Sequence, residues 1–255
     1  MLAIGLYGLV AFAVIFCGGL LGLLIGKMMH ERHRNEATQK IVQTAMGTVS
    51  LVAALVLGLL VATAKDKFDT NNKQTEEFAA GLMSLNRELV NYGPDANAIK
   101  SLLQKYTVAK IASNWPSESG PKPAAGDPPA WKLLESVQQG LRTITPNTDA
   151  QRLAVASALQ TTADLTKATW QQAAQEADHV PHPFVVVLMV WLCVLFISFG
   201  LFAPRNRIVV MALFVCALSI AGAVVLVVDM DMPFEGTITV SSAPMHDALA
   251  KMNVP

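Results

Sequence analysis

Apolar and polar positions along this chain fall into long blocks rather than alternating. Leu2–Gly26, Ile41–Ala64, Phe184–Ala203 and Ile208–Val228 each run without a charged residue. A helix needs about 20 residues to cross the roughly 30 Å hydrocarbon layer of a bilayer, and each block is long enough. The second block does not end in a turn. Beyond Ala64 the pattern changes to a charged helical repeat in which Phe78, Leu82, Leu85, Leu89 and Tyr92 recur at alternating spacings of 4 and 3. That rhythm places one apolar seam along a helix. It predicts a membrane helix that continues into water, and from Glu36 to Tyr92 such a helix would be roughly 85 Å long.

Gly93-Pro94 stops this helix, and Asp95 is positioned to cap a second one over Ala96 to about Ser113. Five prolines and two glycines between Trp115 and Pro129 mark an exposed loop. Further helices are expected from Ala130 to about Ile144 and from Thr148 or Asp149 to about Ala177. A His179–Pro183 elbow then leads into the third block. After the fourth block, Thr237–Val240 is short and β-branched and reads as extended. Ser242, followed by Pro244, is placed to start a last short helix. The expected fold is an all-α membrane protein. It has four transmembrane helices with a helical extramembrane bundle between spans 2 and 3. The divisions are 1–64 (spans 1 and 2 and a basic loop), 65–182 (the helical bundle), 183–228 (spans 3 and 4) and 229–255 (a tail).

Composition agrees with this picture. Hydrophobic residues make up 53% of the 255 positions and charged ones 15%, too apolar for an ordinary soluble domain. The first block lacks a basic segment ahead of it and exceeds a usual signal h-region, so it reads as a retained span. The short loop Lys27–Lys40 carries Lys27, Arg32, Arg34 and Lys40 against Glu31 and Glu36. The other short loop carries Arg205 and Arg207 and no acid. The positive-inside rule therefore places both loops in the cytoplasm of a bacterial inner membrane, with both termini and residues 65–182 extracytoplasmic. Net charge is zero, so no nucleic-acid footprint exists. Cys17, Cys193 and Cys216 all lie in the apolar blocks and read as buried thiols.

Small residues supply the packing signals. Gly18, Gly22 and Gly26 share one face of span 1, and Ala54, Gly58 and Ala62 share one face of span 2. Such faces let helix backbones approach in lipid, either between spans 1 and 2 or between subunits. No charged residue lies inside a span, which disfavours a pump or coupled transporter. Thr44 and Thr48 stack at i, i+4. Their hydroxyls either line a wet path or bond back to their own helix. In the first case Leu51 and Leu55 follow as a hydrophobic constriction. Asp66 and Asp69 leave span 2 as Asp229 and Asp231 leave span 4. Four carboxylates at one level suit a hard cation such as Ca²⁺, or are ordinary interfacial charges partnered by Lys65 and Lys67. His30 and His33, and His179 and His182 after Asp178, lack the further ligands a zinc site needs. No nucleophile–base pair, phosphate loop or paired-carboxylate motif points to an enzyme or to a bound cofactor.

Phe199–Arg207, Asp231–Gly236 and Val240–Met245, together with the Ala64–Asp69 junction, Glu76 and the Tyr106 to Trp115 stretch, resemble the bacterial bestrophin-like family of membrane proteins. The resemblance spans nearly the whole chain. It implies four spans, one helical extramembrane domain and kinship with bestrophins, which are oligomeric anion channels whose large soluble part is cytosolic. Bestrophin pores are lined by phenylalanines on the second span. Ile41–Ala64 has no aromatic residue, so no pore residue is carried over by position. The expected function is an oligomeric, ion-conducting pore lined by span 2. The alternative is a non-conducting envelope protein whose residues 65–182 bind a partner or sense conditions.

Overall fold

The computed structural model describes residues 2–28, 36–116, 128–177, 182–204, 206–234 and 236–253. Eight helices account for most of them: α1 (Leu2–Met28), α2 (Glu36–Tyr92), α3 (Asn97–Asn114), α4 (Ala130–Thr143), α5 (Asp149–Ala177), α6 (His182–Phe202), α7 (Arg207–Met230) and α8 (Ala243–Met252). No strand occurs among the described residues, so the fold is all-α. The chain divides into two units. One comprises residues 1–68 and 179–238, the other residues 69–178 and 239–255, with α2 passing unbroken from the first to the second. Within the tail, the boundary between the units falls after Ile238.

In the first unit α1, α2 and α7 are long and apolar enough to cross a membrane, and α6 is a further apolar helix of 21 residues. Their core gathers Ile15, Ala53, Leu188, Leu192, Leu195, Phe196, Leu213 and Ala217. Beside it Phe12 stacks on Phe16 at 5.4 Å, and Phe214 meets both rings edge-on at 5.2 and 5.6 Å. Asn206 starts α7 with its side-chain oxygen accepting from Val209 N at 2.8 Å.

The glycine face of span 1 finds its partner in α6. A Cβ on Gly22 would strike the Ile197 carbonyl oxygen, one on Gly26 the Leu201 carbonyl, and one on Gly18 the Cys193 sulfur. A Cβ on Gly200 of α6 would strike the Gly19 carbonyl in return. The expected match of this face with Ala54, Gly58 and Ala62 is therefore corrected. Those three are exposed, and nothing lies within 4 Å of a Cβ placed on Gly58. The physical reason is reciprocity: Gly200 of α6 meets Gly22 with bare backbone on both sides, so the two helices approach to van der Waals contact. Gly22→Ala is expected to push α1 from α6 at a loss of roughly 1–3 kcal/mol. Thermal unfolding in detergent should fall by several degrees. Gly222→Ala, where nothing lies within 4 Å, should not change it.

In the second unit the expected seam is buried throughout, with Phe78 8%, Leu82 0%, Leu85 0%, Leu89 3% and Tyr92 5% exposed. It begins two positions earlier, at buried Asn71 and Thr75, where Thr75 Oγ1 donates to the Asn71 carbonyl at 2.9 Å. Gly93 leaves α2 at φ 111°, a conformation side-chain-bearing residues avoid, which is why a glycine stands there. Asp95 does not cap α3. Pro94–Ala96 forms a 3₁₀ turn, proline fitting its first position, and α3 starts at Asn97 without a side-chain cap. The start of α5 does use side chains: Thr148 Oγ1 accepts from Gln151 N at 3.2 Å, and Gln151 Oε1 accepts from Thr148 N at 3.2 Å. This is the reciprocal capping arrangement.

Tyr106 is fully buried in this unit, its hydroxyl 3.4 Å from Thr169 Oγ1. Burial pushes the phenol up to about 12 against the smaller opposing pull of that hydrogen bond, so it stays neutral. Residues 239–242 form no strand. Instead Val240 is buried and its carbonyl accepts from Trp115 Nε1 at 2.8 Å. Ser242 opens α8 with its backbone carbonyl, which accepts from Met245 N and His246 N at 3.0 and 3.1 Å, and not with its side chain. Met245, Ala248 and Met252 are the buried face of α8.

Candidate functional site

Among the membrane-length helices of the first unit, α2 has the least covered apolar stretch. Of the apolar stretch of α2 only 6% is buried, against 28% for α1 and 22% for α7. Ala53, Val56, Leu57 and Leu60 face the core. On the opposite face Thr44, Thr48, Leu51, Leu55, Gly58 and Ala62 recur at spacings of 3 and 4 and are all exposed, Leu51 and Leu55 at 73% each. The four residues expected from the sequence to line a path therefore share one face, continued by the two small ones. The hydroxyls bond back to their own helix. Thr44 Oγ1 donates to the Lys40 carbonyl at 2.8 Å, and Thr48 Oγ1 to the Thr44 carbonyl at 3.3 Å. With the protons so committed, each hydroxyl presents lone pairs outward and no donor.

The carboxylates serve separate purposes. Asp229 ends α7 and is 4% exposed. Its Oδ1 accepts from Thr237 N at 2.7 Å and its Oδ2 from Ile238 N at 3.1 Å, with Gly236 packed against the same side chain. It closes the turn after α7. Asp231 Oδ1 receives Lys67 Nζ at 2.7 Å with both side chains half-buried, tying α2 to the end of α7. Asp66 and Asp69 are exposed. Among the described residues no group of three or more His, Cys, Asp or Glu side chains is placed to hold a metal ion. Asp229 is engaged by two backbone amides and Asp231 by the Lys67 ammonium.

Cys17 and Cys216 lie at the surface of the single chain and Cys193 is half-buried. The apolar blocks that carry Cys17 and Cys216 turn those positions outward, toward the surroundings of the helices. His30, His33, Asp178, His179, Arg205 and the loop 117–127 lie outside the described residues. Sequence reasoning missed the clamp at Asp229. Its one signal was an acid at an apolar helix end, followed by a glycine within reach of a tight return.

A helical membrane unit of this kind, with a second helical unit entered by α2, defines the class. The Bestrophin-like domain matches residues 12–245, and the chain belongs to the Bestrophin-like family. Among solved structures it is similar to a bacterial Bestrophin homolog from Klebsiella pneumoniae, at 14% identity and a TM-score of 0.67 over 94% of this chain and 99% of that one. A second structure of that homolog matches at 12% identity and TM-score 0.65, over 94% of each chain. A further crystal structure, described as a membrane protein, matches at 11% identity and TM-score 0.69 over 96% of each chain. These likenesses establish a bestrophin fold. No curated protein matches the chain.

Proposed function

We propose that this chain assembles as a ring in the bacterial inner membrane and conducts ions along a path lined by α2. Each subunit contributes four spans, α6 among them. The observation that carries this reading is the uncovered α2 stripe. The glycines of α1 pack on α6, whereas Gly58 of α2 has nothing within 4 Å of an added Cβ and Ala62 is exposed. A ring of copies would bring these stripes together around an axis. Thr44 and Thr48 would then form a hydroxyl-bearing end, and Leu51 and Leu55 a hydrophobic constriction that gates by dewetting. The family resemblance, which implies oligomeric channels, supports the same reading. It does not depend on which side of the membrane the second unit occupies.

Light scattering of the purified protein in detergent should give three or more subunits, the minimum for a shared path, and proteoliposomes should pass ions. Monomers with no flux across salts would contradict the proposal. A non-conducting, partner-binding protein is the second reading, favoured by Trp131 and Trp170, which stand 51% and 64% exposed on the second unit. It predicts that Trp131→Ala with Trp170→Ala abolishes function in cells with no change in oligomeric state or flux.

A further inference from the structure

Where copies of α2 line a path, the atoms on the stripe decide which ions that path takes, so this inference rests on the reading above. From Thr44 to Ala62 the stripe carries no charged side chain. Its backbone N–H groups are spent inside the helix. The polar atoms its side chains offer are two hydroxyl oxygens. Thr44 Oγ1 gives its proton to the Lys40 carbonyl at 2.8 Å and Thr48 Oγ1 to the Thr44 carbonyl at 3.3 Å. A threonine has one O–H and two lone pairs, so after these bonds acceptors alone remain.

An ion entering a narrow path exchanges part of its water shell for groups on the wall. A cation is met by oxygen lone pairs, an anion by N–H or O–H donors or by a fixed positive charge. The stripe supplies the first and withholds the second. Turning a hydroxyl toward an anion would first break its bond to the helix carbonyl. Charges flank the stripe at both ends. Exposed Asp66 follows Ala62 by four residues and stays on the stripe, at about 100° per residue, whereas Lys65 falls about 60° off its centre. At the other end exposed Lys40 precedes Thr44 by four. Its long stem lets the ammonium reach water beyond the uncharged span, while the short Asp66 side chain keeps its charge beside the helix.

We propose that the path selects monovalent cations such as K⁺ and Na⁺ over Cl⁻, the Thr44 and Thr48 oxygens replacing part of the cation's hydration. The resemblance to bestrophins implies anions. The lining of α2 assigns the opposite charge, and the selectivity of the current decides between them.

Reversal potentials of the full-length protein in planar bilayers across a KCl gradient test this. The wild type should favour K⁺ over Cl⁻ by about tenfold, a difference of the size one hydrogen bond supplies. Thr44→Val with Thr48→Val keeps the shape of two exposed side chains and removes their oxygens, so the protein should fold and most of the preference should vanish. Thr44→Ser with Thr48→Ser should retain it, and Lys40→Gln should leave its sign unchanged. No current in any salt would remove the path itself and this inference with it. Current that favours Cl⁻ or neither ion, or a cation preference that survives the valine pair, would overturn the selectivity alone. A preference that changes sign in Lys40→Gln would assign it to that ammonium and overturn the proposal as well.

Discussion

Replacing Asp229 with alanine is expected to lower the unfolding temperature in detergent by roughly 5–15 °C. The carboxylate is 4% exposed and accepts from two consecutive backbone amides, Thr237 N and Ile238 N. Removing it takes a charged acceptor from both amides, and a hydrogen bond to a charged group is worth about 1.5–3 kcal/mol. For a protein of this size 1 kcal/mol corresponds to roughly 2–4 °C. Asp229→Asn should fall between, since the amide keeps one acceptor oxygen but aims its N–H₂ at a backbone donor. Asp66→Asn, at an exposed position, should have little effect. Equal shifts for Asp66→Asn and Asp229→Ala in circular dichroism melts would remove the clamp from the account.

The second large effect concerns conduction. Leu51→Asn and Leu55→Asn are expected to raise ion flux about tenfold, the equivalent of lowering one barrier by roughly 1.4 kcal/mol. Both leucines are 73% exposed, so neither substitution removes packing within a protomer. If instead the stripe faced lipid, a polar side chain there would hinder insertion and lower the yield of folded protein, with flux unchanged. The two outcomes move different observables, proteoliposome flux and membrane-extracted yield.

How legible these features were depends on which physical term governs them. The seam from Phe78 to Tyr92 was readable because burial of large apolar side chains writes a period into the chain. Its first turns were not, because Asn71 and Thr75 occupy the same seam positions with polar side chains. The glycine face of α1 announced a close contact without naming the partner. That partner depends on one glycine, Gly200, more than 170 positions away, and periodicity says nothing about pairing. The α3 start shows a competition between signals: Asp95 is a good cap, but Pro94 fits a 3₁₀ turn that consumes Asp95 before the helix begins. At the candidate site, membership of the stripe was legible from spacing. Its exposure was not, since whether an apolar face is covered is a property of the neighbours. The carboxylates were legible as charges at one level and illegible as individuals, because their partners are backbone amides for Asp229 and Lys67 for Asp231.

The central claim is that the uncovered stripe of α2 faces an ion path. Its most direct test places a cysteine at Leu55, Leu55→Cys, in a background where Cys17, Cys193 and Cys216 are replaced by alanine. Proteoliposome flux is then measured before and after a charged, water-borne methanethiosulfonate reagent. Modification is predicted to change the flux of the Leu55→Cys protein strongly and to leave unchanged an Ala53→Cys protein, whose site is 3% exposed within the helical core. Flux at Leu55→Cys that the reagent does not alter, with labelling confirmed by mass spectrometry, would contradict it.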